Sequence, residues 1–249
     1  MKIIGVIPSR YASTRFPGKG IADICGKPMI WWVYNQVKKV PEISEAYVAT
    51  DDQRIVDICN QEGIPSVMTS DSCPTHLERL YEVSTKIDAD FYINVNGDEP
   101  LIESSAIEAL IPTDIDPNTS YFANGMMTLH DPIDAYDSSK IKIVTDMFGY
   151  GLYMARSPVP YPKGRSDFFL KKFVGIQCFT KKALQFVIDT PRGYLESIED
   201  IDEFRFLENG HKVKFIMTNA TTLSVDTQKD LNKVRKIIRA RLDSGEITL

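Results

Sequence analysis

Three basic side chains share one loop near the start of the chain. Residues 7–20 read IPSRYASTRFPGKG and place Arg10, Arg15 and Lys19 together, whereas the first acidic residue is Asp23. Clustered cations, and glycines that allow close backbone approach, suit the binding of a polyphosphate. The loop matches neither the G-x-G-x-x-G nor the G-x-x-x-x-G-K-[ST] pattern. The alternative is a basic, solvated surface loop, but the position directly after a predicted strand favours a phosphate site.

Two aspartates follow apolar segments farther along the chain, Asp98 in NVNGDEP and Asp226 in LSVDT. A carboxylate at the end of a strand can hold magnesium against phosphate oxygens. The alternative for each is a turn or helix-capping role, and the helix predicted after Asp226 strengthens that alternative. Together with the cationic loop, the two aspartates suit metal-assisted nucleotidyl transfer. In that chemistry cations stabilise the leaving diphosphate and a metal binds the α-phosphate.

The overall composition excludes several classes of protein. With 29 basic and 34 acidic residues, the net charge of −5 argues against partners such as nucleic acid or an anionic membrane surface, which require a basic face. No apolar run approaches the roughly 18–20 residues of a membrane span, and the N-terminus does not resemble a signal peptide. The four cysteines are widely spaced and lack a C-x-x-C pattern, which favours reduced thiols in a cytoplasmic protein over zinc or disulfides. They are Cys25, Cys59, Cys73 and Cys178.

Strand and helix patterns alternate through the first hundred residues. KIIGVIP, EAYVAT, PSVMTS and DFYINVNGDEP have the apolar character of buried strands, and helical spacing follows the first three. This order predicts an α/β fold with a mainly parallel central sheet and helices on both faces. In such a sheet, ligands bind beyond the carboxyl ends of the strands, where the cationic loop and Asp98 are expected.

The middle of the chain departs from this order. SYFANGMMTL, IKIVTD and GYGLYMARS are strand-like with short connections, which predicts an antiparallel insertion. YLESIEDIDEFRFLENG predicts one long acidic amphipathic helix ending at Gly210, and DTQKDLNKVRKIIRARL predicts a terminal helix. Without a long linker or an internal repeat, we expect a single domain over residues 1–249. Residues 119–180 are then a candidate subregion for dimerisation or acceptor binding.

The segments IPSRYASTRFPGKGIADICGKPMI, VATDD, VNGDEP and VDT resemble the 3-deoxy-manno-octulosonate (KDO) cytidylyltransferases, also called CMP-KDO synthetases. The resemblance extends from the first strand to the final helix, and its loop motif R-Y-x-S-[TS]-R-x-P-G-K is specific. It implies a Rossmann-like α/β nucleotidyltransferase fold and a homodimer. It also implies an enzyme that uses CTP and magnesium to convert a sugar acid into its CMP derivative, releasing diphosphate.

The resemblance also implies roles for individual residues. Lys19, Asp98 and Asp226 become the catalytic residues, and the two aspartates become the magnesium ligands. The implied nucleotide-binding residues are Pro8, Arg10, Ser13, Arg15, Lys19 and Arg79. The implied acceptor-binding residues are Asn96, Lys172, Gln177, Glu199 and Glu203.

This chain departs from the family pattern mainly where the acceptor is expected. The family's H-x-S-G-T-[DE]-R is CPTHLER here, which retains only the acid and the arginine. Asn96 replaces a glutamine, Phe173 a histidine, Gln177 a tyrosine and Glu203 a glutamine. Because a site that loses its hydrogen-bonding partners discriminates strongly against its former ligand, these changes predict an altered acceptor. The three histidines, His76, His130 and His211, are predicted to have surface or capping roles.

The leading functional hypothesis is a cytoplasmic, magnesium-dependent cytidylyltransferase that makes a CMP-activated, KDO-like sugar acid for a lipopolysaccharide or capsule. Its partners are CTP and a small sugar acceptor. One alternative is CMP transfer to a non-KDO acceptor such as a phosphorylated sugar or a polyol. Another is a catalytically silent nucleotide-binding module, against which the retention of both metal-type aspartates argues.

Overall fold

The computed structural model describes residues 1–13, 15–164, 167–219 and 222–249. The strands of the described chain, in order, are β1 (Ile3–Pro8), β2 (Asp23–Ile24), β3 (Lys27–Pro28), β4 (Ile43–Thr50), β5 (Ser66–Met68), β6 (Phe91–Val95), β7 (Phe122–Leu129), β8 (Lys142–Thr145), β9 (Gly151–Ala155), β10 (Leu170–Thr180) and β11 (Lys214–Met217). The helices are α1 (Met29–Lys38), α2 (Gln53–Gln61), α3 (His76–Lys86), α4 (Ser104–Glu108), α5 (Lys181–Asp189), α6 (Tyr194–Glu199), α7 (Phe204–Glu208) and α8 (Gln228–Asp243). No helix among these residues is long and apolar enough to cross a membrane.

The central sheet of the described chain has the strand order β11-β7-β10-β6-β1-β4-β5. Strands β5, β4, β1 and β6 pair in parallel, as the alternating pattern predicts. Strand β10 enters antiparallel between β6 and β7, and β8 and β9 add a second antiparallel part alongside β10. The prediction of a mixed α/β fold with an antiparallel insertion is therefore confirmed.

Helices cover both faces of the sheet because its central strands are apolar on both sides. In β1, Ile3 and Ile7 pack into a core with α1, α2 and α4. The alternate residues Ile4 and Val6 pack into a second core with α3, α5 and α7. Side chains on a strand alternate between faces, so the continuous apolar run of β1 serves both layers.

Close contacts between chain segments bring the ends of β1 and β6 together. A Cβ atom on Gly97 would lie 2.8 Å from the carbonyl oxygen of Pro8, so only glycine fits between these strand ends without displacing backbone. The amide of Val225 donates to the carbonyl oxygen of Asp98 at 2.8 Å. The loop after β1, the turn after β6 and the segment before α8 therefore meet at one edge of the sheet.

The prediction of one long acidic helix over residues 194–210 is wrong. The structure has two short helices, α6 and α7, because Asp200 adopts a left-handed conformation with φ of 51° and ends α6. The Arg156 guanidinium donates to the carbonyl oxygens of Glu199 and Asp200, and Arg192 forms an ion pair with the Asp200 carboxylate. These long-range contacts stabilise a break that the amphipathic pattern does not show.

Candidate active site

The cationic loop and the two aspartates meet at one ammonium group. The Lys19 Nζ atom lies 2.6 Å from a carboxylate oxygen of Asp98 and 3.1 Å from one of Asp226. Arg15 also contacts Asp226, at 3.0 Å. Burial opposes the charged form of Lys19, but the charges and hydrogen bonds of the two aspartates outweigh burial and raise the pKa of the lysine. Lys19 is therefore a charged group shared by both carboxylates.

The local structure of the loop explains how Lys19 reaches this point. Gly18 has a φ of 70°, which favours glycine, and its amide donates to the carbonyl oxygen of Tyr11 at 2.8 Å. The chain then forms a short 3-10 turn at Lys19–Ile21. This closed loop directs the lysine back toward the strand ends.

Asp226 does not cap α8, so the capping alternative for it does not hold. The cap is Thr227, whose hydroxyl accepts from the amide of Asp230 while the Asp230 carboxylate accepts from Thr227. The Asp226 carboxylate instead faces Lys19 and Arg15. Across the described chain, no group of three or more histidine, cysteine, aspartate or glutamate side chains is placed to hold a metal ion. Any metal at this point would have two protein carboxylates as ligands.

Two cavities include both aspartates in their linings. The first has a volume of about 370 Å³, and its lining consists of Pro8, Ser9, Arg10, Ala12, Ser13, Arg15, Lys19, Gly20, His76, Asn96, Gly97, Asp98 and Asp226. The second has a volume of about 530 Å³ and includes Lys140, Arg156, Lys172, Phe173 and Lys233 in its lining. Four residues line both cavities: Arg15, Asn96, Asp98 and Asp226. The aspartates thus stand where the contents of the two cavities would meet.

The structure brings most of the predicted site residues to these cavities. The first cavity gathers Pro8, Arg10, Ser13, Arg15, Lys19, Asn96, Asp98 and Asp226. Lys172 lines the second cavity, where burial lowers its pKa and the charge of Glu99 partly offsets that effect. Glu99 lies beside it as a buried carboxylate whose pKa burial raises. The second cavity has both basic and acidic side chains in its lining: Arg15, Lys140, Arg156, Lys172 and Lys233 beside Asp98, Glu99, Asp137, Asp226 and Asp230.

The structure does not bring Arg79, a predicted nucleotide-binding residue, to either cavity. Its side chain is fully buried and forms an ion pair with Asp51 at 2.7 Å. It also donates to the hydroxyl of Thr69. Because Asp51 and Thr69 follow β4 and β5, Arg79 ties α3 to the ends of these strands. These contacts favour a structural role for Arg79, and its nucleotide contact stays a prediction.

Three of the predicted acceptor-binding residues, Gln177, Glu199 and Glu203, do not line either cavity. Gln177 and Glu203 are buried and line neither cavity; the Gln177 amide donates to the Glu203 carboxylate at 2.7 Å. Burial, reinforced by the charge of Asp202, raises the pKa of Glu203 to about 7. Glu199 accepts a hydrogen bond from the amide of Arg156 and so supports a residue of the second cavity without lining it.

Sequence reasoning missed His76, whose side chain lines the first cavity. It lies at the first position of α3, and its Nε2 atom is 2.8 Å from the amide oxygen of Gln177. A signal was present, because His76 occupies the glycine position of the motif H-x-S-G-T-[DE]-R. When a large polar side chain replaces a glycine beside a pocket, it changes the shape and the polarity of that pocket.

Sequence comparison finds a matching family model and relatives that align over nearly the whole chain. The cytidylyltransferase family model matches residues 4–215. A 3-deoxy-manno-octulosonate cytidylyltransferase from Trichlorobacter lovleyi is 39% identical and covers 95% of this chain and 98% of its own. The mitochondrial 3-deoxy-manno-octulosonate cytidylyltransferase from Arabidopsis thaliana is 35% identical. The alignment covers 96% of this chain and 84% of the Arabidopsis protein.

Solved structures of other cytidylyltransferases have a similar fold. The structure of CMP:2-keto-3-deoxy-manno-octonic acid synthetase in complex with CTP superposes with a TM-score of 0.90 at 34% identity, covering 97% of this chain and 100% of the other. The inositol-1-phosphate CTP transferase from T. maritima, at 15% identity and a TM-score of 0.70, shares the fold over 96% of this chain and 95% of its own. Because the family model spans most of the sequence and both sequence relatives align over nearly all of it, this chain belongs to the cytidylyltransferase family.

Proposed function

We propose that this protein transfers a cytidylyl group from CTP to KDO or a related anionic acceptor and releases diphosphate. The observation that carries the proposal is the position of Asp98 and Asp226 at the junction of two cavities, both in contact with Lys19. The first cavity takes the nucleotide and the second takes the acceptor. The relatives named as 3-deoxy-manno-octulosonate cytidylyltransferases, and the related structure solved with CTP, support this assignment.

The cations of the first cavity bind the triphosphate. Arg10 forms no ion pair with a carboxylate in the described ranges and donates only to the carbonyl oxygen of Pro74, so its charge is available to a phosphate. Arg15 and Lys19 already lie beside the aspartates. Cations fixed before the reaction stabilise the charge that develops on the leaving diphosphate without further reorganisation.

The residues present fit a magnesium ion. Asp98 and Asp226 would hold it, because both carboxylates already face one cationic nitrogen and magnesium prefers carboxylate oxygens. When bound, magnesium supplies charge neutralisation at the phosphate oxygens. With Asp98 and Asp226 holding a metal, Lys19 would be available to contact phosphate oxygens.

The acceptor enters from the second cavity. Its hydroxyl oxygen forms a bond to the α-phosphorus while the bond to the diphosphate breaks, and the hydroxyl proton is released. Lys172 attracts the acid group of the acceptor. Lys140 and Arg156 line the same cavity but already have protein partners, Lys140 in Asp134 and Asp137 and Arg156 in backbone carbonyl oxygens. A phosphorylated sugar or polyol is the second candidate acceptor, because Phe173 replaces a family histidine in this cavity and the Lys172 cation serves a phosphate equally well. A product of this kind would enter synthesis of a lipopolysaccharide or capsule.

A direct assay tests the proposal. Purified protein is incubated with CTP, magnesium and one acceptor at a time, and diphosphate release is measured with and without a chelator. The panel contains KDO, an amino-substituted KDO-like acid, phosphorylated sugars and phosphorylated polyols. We expect release that depends on both acceptor and magnesium. CTP binding without turnover for any acceptor would support the silent module instead.

The protein is further proposed to act as a homodimer in the cytoplasm. Exposed hydrophobic side chains concentrate between residues 130 and 170, where Tyr136 and Tyr161 are more than 80% exposed and Phe169 is 66% exposed. Patches of this kind mark contact surfaces. The four free cysteines agree with a reducing compartment.

Light scattering tests the dimer. Wild-type protein is expected at twice the mass of the chain, and Phe169→Asp is expected to shift it toward the monomer. Tyr194→Asp, at an exposed position on α6, is the matched control. A monomeric wild type would contradict the proposal.

A further inference from the structure

Glu99 is a buried carboxylate directly after a proposed magnesium ligand. It follows Asp98 in the turn after β6 and is 4% exposed. Burying a carboxylate costs free energy unless donors satisfy its oxygens, so its hydrogen-bond partners show what it holds. The partners of Glu99 come from β10 and from the segment before α8, which lie far from Glu99 in the sequence.

One contact joins Glu99 to β10. The main-chain amide of Gly175 donates to the Oε1 atom of Glu99 at 3.1 Å. A Cβ atom on Gly175 would lie 2.5 Å from the same oxygen, so the carboxylate packs directly against the backbone of this strand. The amide of Asn96 donates in turn to the carbonyl oxygen of Gly175 at 2.9 Å. The turn after β6 is thus fixed to β10 through both main-chain groups of Gly175.

Two further contacts join Glu99 to the segment before α8. The Thr222 hydroxyl donates to the Oε2 atom of Glu99 at 2.7 Å. The Ser224 hydroxyl donates to the Oε1 atom at 3.4 Å, a longer bond. All three residues line the second cavity and none lines the first. The Glu99 carboxylate therefore bridges β10 and the segment before α8.

This bridge acts on the residue that follows the segment. The amide of Val225 donates to the carbonyl oxygen of Asp98, which fixes the segment at one main-chain point. A single bond of this kind lets the chain turn about that point, and the bonds from Glu99 hold the same segment at a second point. Asp226 comes next in the chain and faces Lys19. Two fixed points before Asp226 therefore set the direction of its carboxylate.

The hydrogen bonds of Glu99 distinguish it from a metal ligand. Both of its carboxylate oxygens accept from protein donors. Across the residues that the structure describes, no third acidic side chain joins Asp98 and Asp226 in a group placed to hold a metal ion. The Asp98 carboxylate faces Lys19, whereas that of the adjacent Glu99 faces the segment before α8.

We propose that Glu99 is a positioning residue for the magnesium site, because its carboxylate holds the segment before α8 so that Asp226 faces the same ammonium group as Asp98. This inference rests on the proposed function, since it takes the two aspartates as the magnesium ligands. It assigns neither metal binding nor proton transfer to Glu99. The effect of Glu99 passes through Asp226.

Substitutions separate hydrogen bonding from charge at this position. Glu99→Gln keeps an oxygen for Gly175 and places an amide beside the Thr222 hydroxyl, which can accept as well as donate. Glu99→Leu removes every acceptor. Thr222→Val removes only one donor on the segment before α8 and is a second, milder variant. Glu108→Leu, at an exposed position on α4, is the matched control.

Thermal unfolding across a magnesium series, without nucleotide or acceptor, measures the metal site. We expect Glu99→Leu to raise the half-saturating magnesium concentration by about tenfold, within the range for losing a residue that orients a metal ligand. Thr222→Val should change it in the same direction, whereas Glu99→Gln and Glu108→Leu should match the wild type. The acceptor is left out because the charge of Glu99 also acts on Lys172.

Hydrogen exchange of the Val225 amide, followed by NMR in magnesium-free protein, measures the segment itself. This amide is protected by its bond to the Asp98 carbonyl oxygen. We expect exchange to be faster in Thr222→Val and about tenfold faster in Glu99→Leu, because the segment opens more often. Glu99→Gln should leave the rate unchanged, and amides in β1 should exchange equally in all variants.

The outcomes separate the inference from the proposed function. A wild-type magnesium response in Glu99→Leu overturns the inference, whether or not Val225 exchanges faster. Equal losses of magnesium response in Glu99→Gln and Glu99→Leu overturn the positioning role, because the charge of Glu99 is then what matters. If Glu99→Leu does not fold, Thr222→Val decides by the same two measurements. A wild type that neither responds to magnesium nor releases diphosphate from CTP with any acceptor overturns the proposed function, and the inference with it.

Discussion

The main-chain amide of Val225 donates to the carbonyl oxygen of Asp98 at 2.8 Å. This single bond joins the turn after β6 to the segment before α8, although the two lie far apart in the sequence. It places the carboxylates of Asp98 and Asp226 within reach of the same Lys19 ammonium group. The site is therefore assembled by backbone contacts, and its chemistry depends on how these three charges are shared.

We expect Asp98→Asn and Asp226→Asn each to abolish diphosphate release while the fold is retained. An amide binds magnesium far less well than a carboxylate, so either substitution removes one of the two proposed ligands. The measurement is turnover as a function of magnesium concentration, with circular dichroism to verify the fold. Asp88→Asn, at a highly exposed position, is the control. Near-normal activity of either variant at limiting magnesium would exclude that residue as a ligand.

Lys19→Ala is expected to lower kcat/KM for CTP. The expected loss of transition-state stabilisation is about 2–4 kcal/mol, the scale for one preorganised charge-stabilising donor. Both ground-state binding and turnover should suffer, because the cation faces the phosphates in both states. Steady-state kinetics at low salt provide the measurement, and Lys181→Ala is the exposed control. Unaltered kinetics would mean that Lys19 does not contact the triphosphate.

The same variant should respond differently to magnesium in the absence of nucleotide. In the wild type, a metal ion competes with Lys19 for Asp98 and Asp226. In Lys19→Ala the two carboxylates have lost this partner, so magnesium should raise the Tm of the variant more than that of the wild type. Thermal unfolding across a magnesium series measures the effect. Equal shifts in both proteins would argue against a metal site at the aspartates.

We expect KDO to be a poorer acceptor than at least one other member of the acceptor panel. Phe173 and Asn96 line that cavity in place of a family histidine and glutamine, and each hydrogen bond lost to a sugar hydroxyl costs roughly 1–3 kcal/mol. Phe173→His should therefore raise kcat/KM for KDO, whereas Tyr194→His, at an exposed position on α6, should not. Side-by-side kinetics with the acceptor panel decide the matter. Efficient KDO turnover by the wild type would show that its acceptor is the family's own.

Glu203 should make the protein less stable as pH rises from about 4.5 to about 7. Burial raises its pKa from 4.5 to about 7, so the folded state binds the proton more tightly than the unfolded state does. The stabilisation is complete below about pH 4.5 and is lost as pH increases through about 7, up to about 3 kcal/mol at about 1.4 kcal/mol per pKa unit. Urea unfolding across this range should show a smaller decline in Glu203→Gln than in the wild type. Glu246→Gln, at an exposed position, is the control.

Much of the fold could be predicted from local patterns. The apolar run of β1 indicated burial on both faces, and the alternation of strands and helices indicated the parallel part of the sheet. The clustered cations of residues 7–20 and the aspartates after apolar segments indicated where the chemistry lies. These features are carried by neighbouring residues, so the sequence contains them directly.

Only the tertiary structure decided which side chains face the cavities. In the antiparallel pairing of β10 with β6, Gln177 stands opposite Asn94, which directs it into a buried network instead of the acceptor cavity. Arg79 likewise forms its ion pair with Asp51 in the interior. His76 lines the first cavity and is hydrogen-bonded there to Gln177. The types of these residues are evident in the sequence, but their partners come from distant segments. Their roles therefore depend on strand register and packing, which local pattern does not encode.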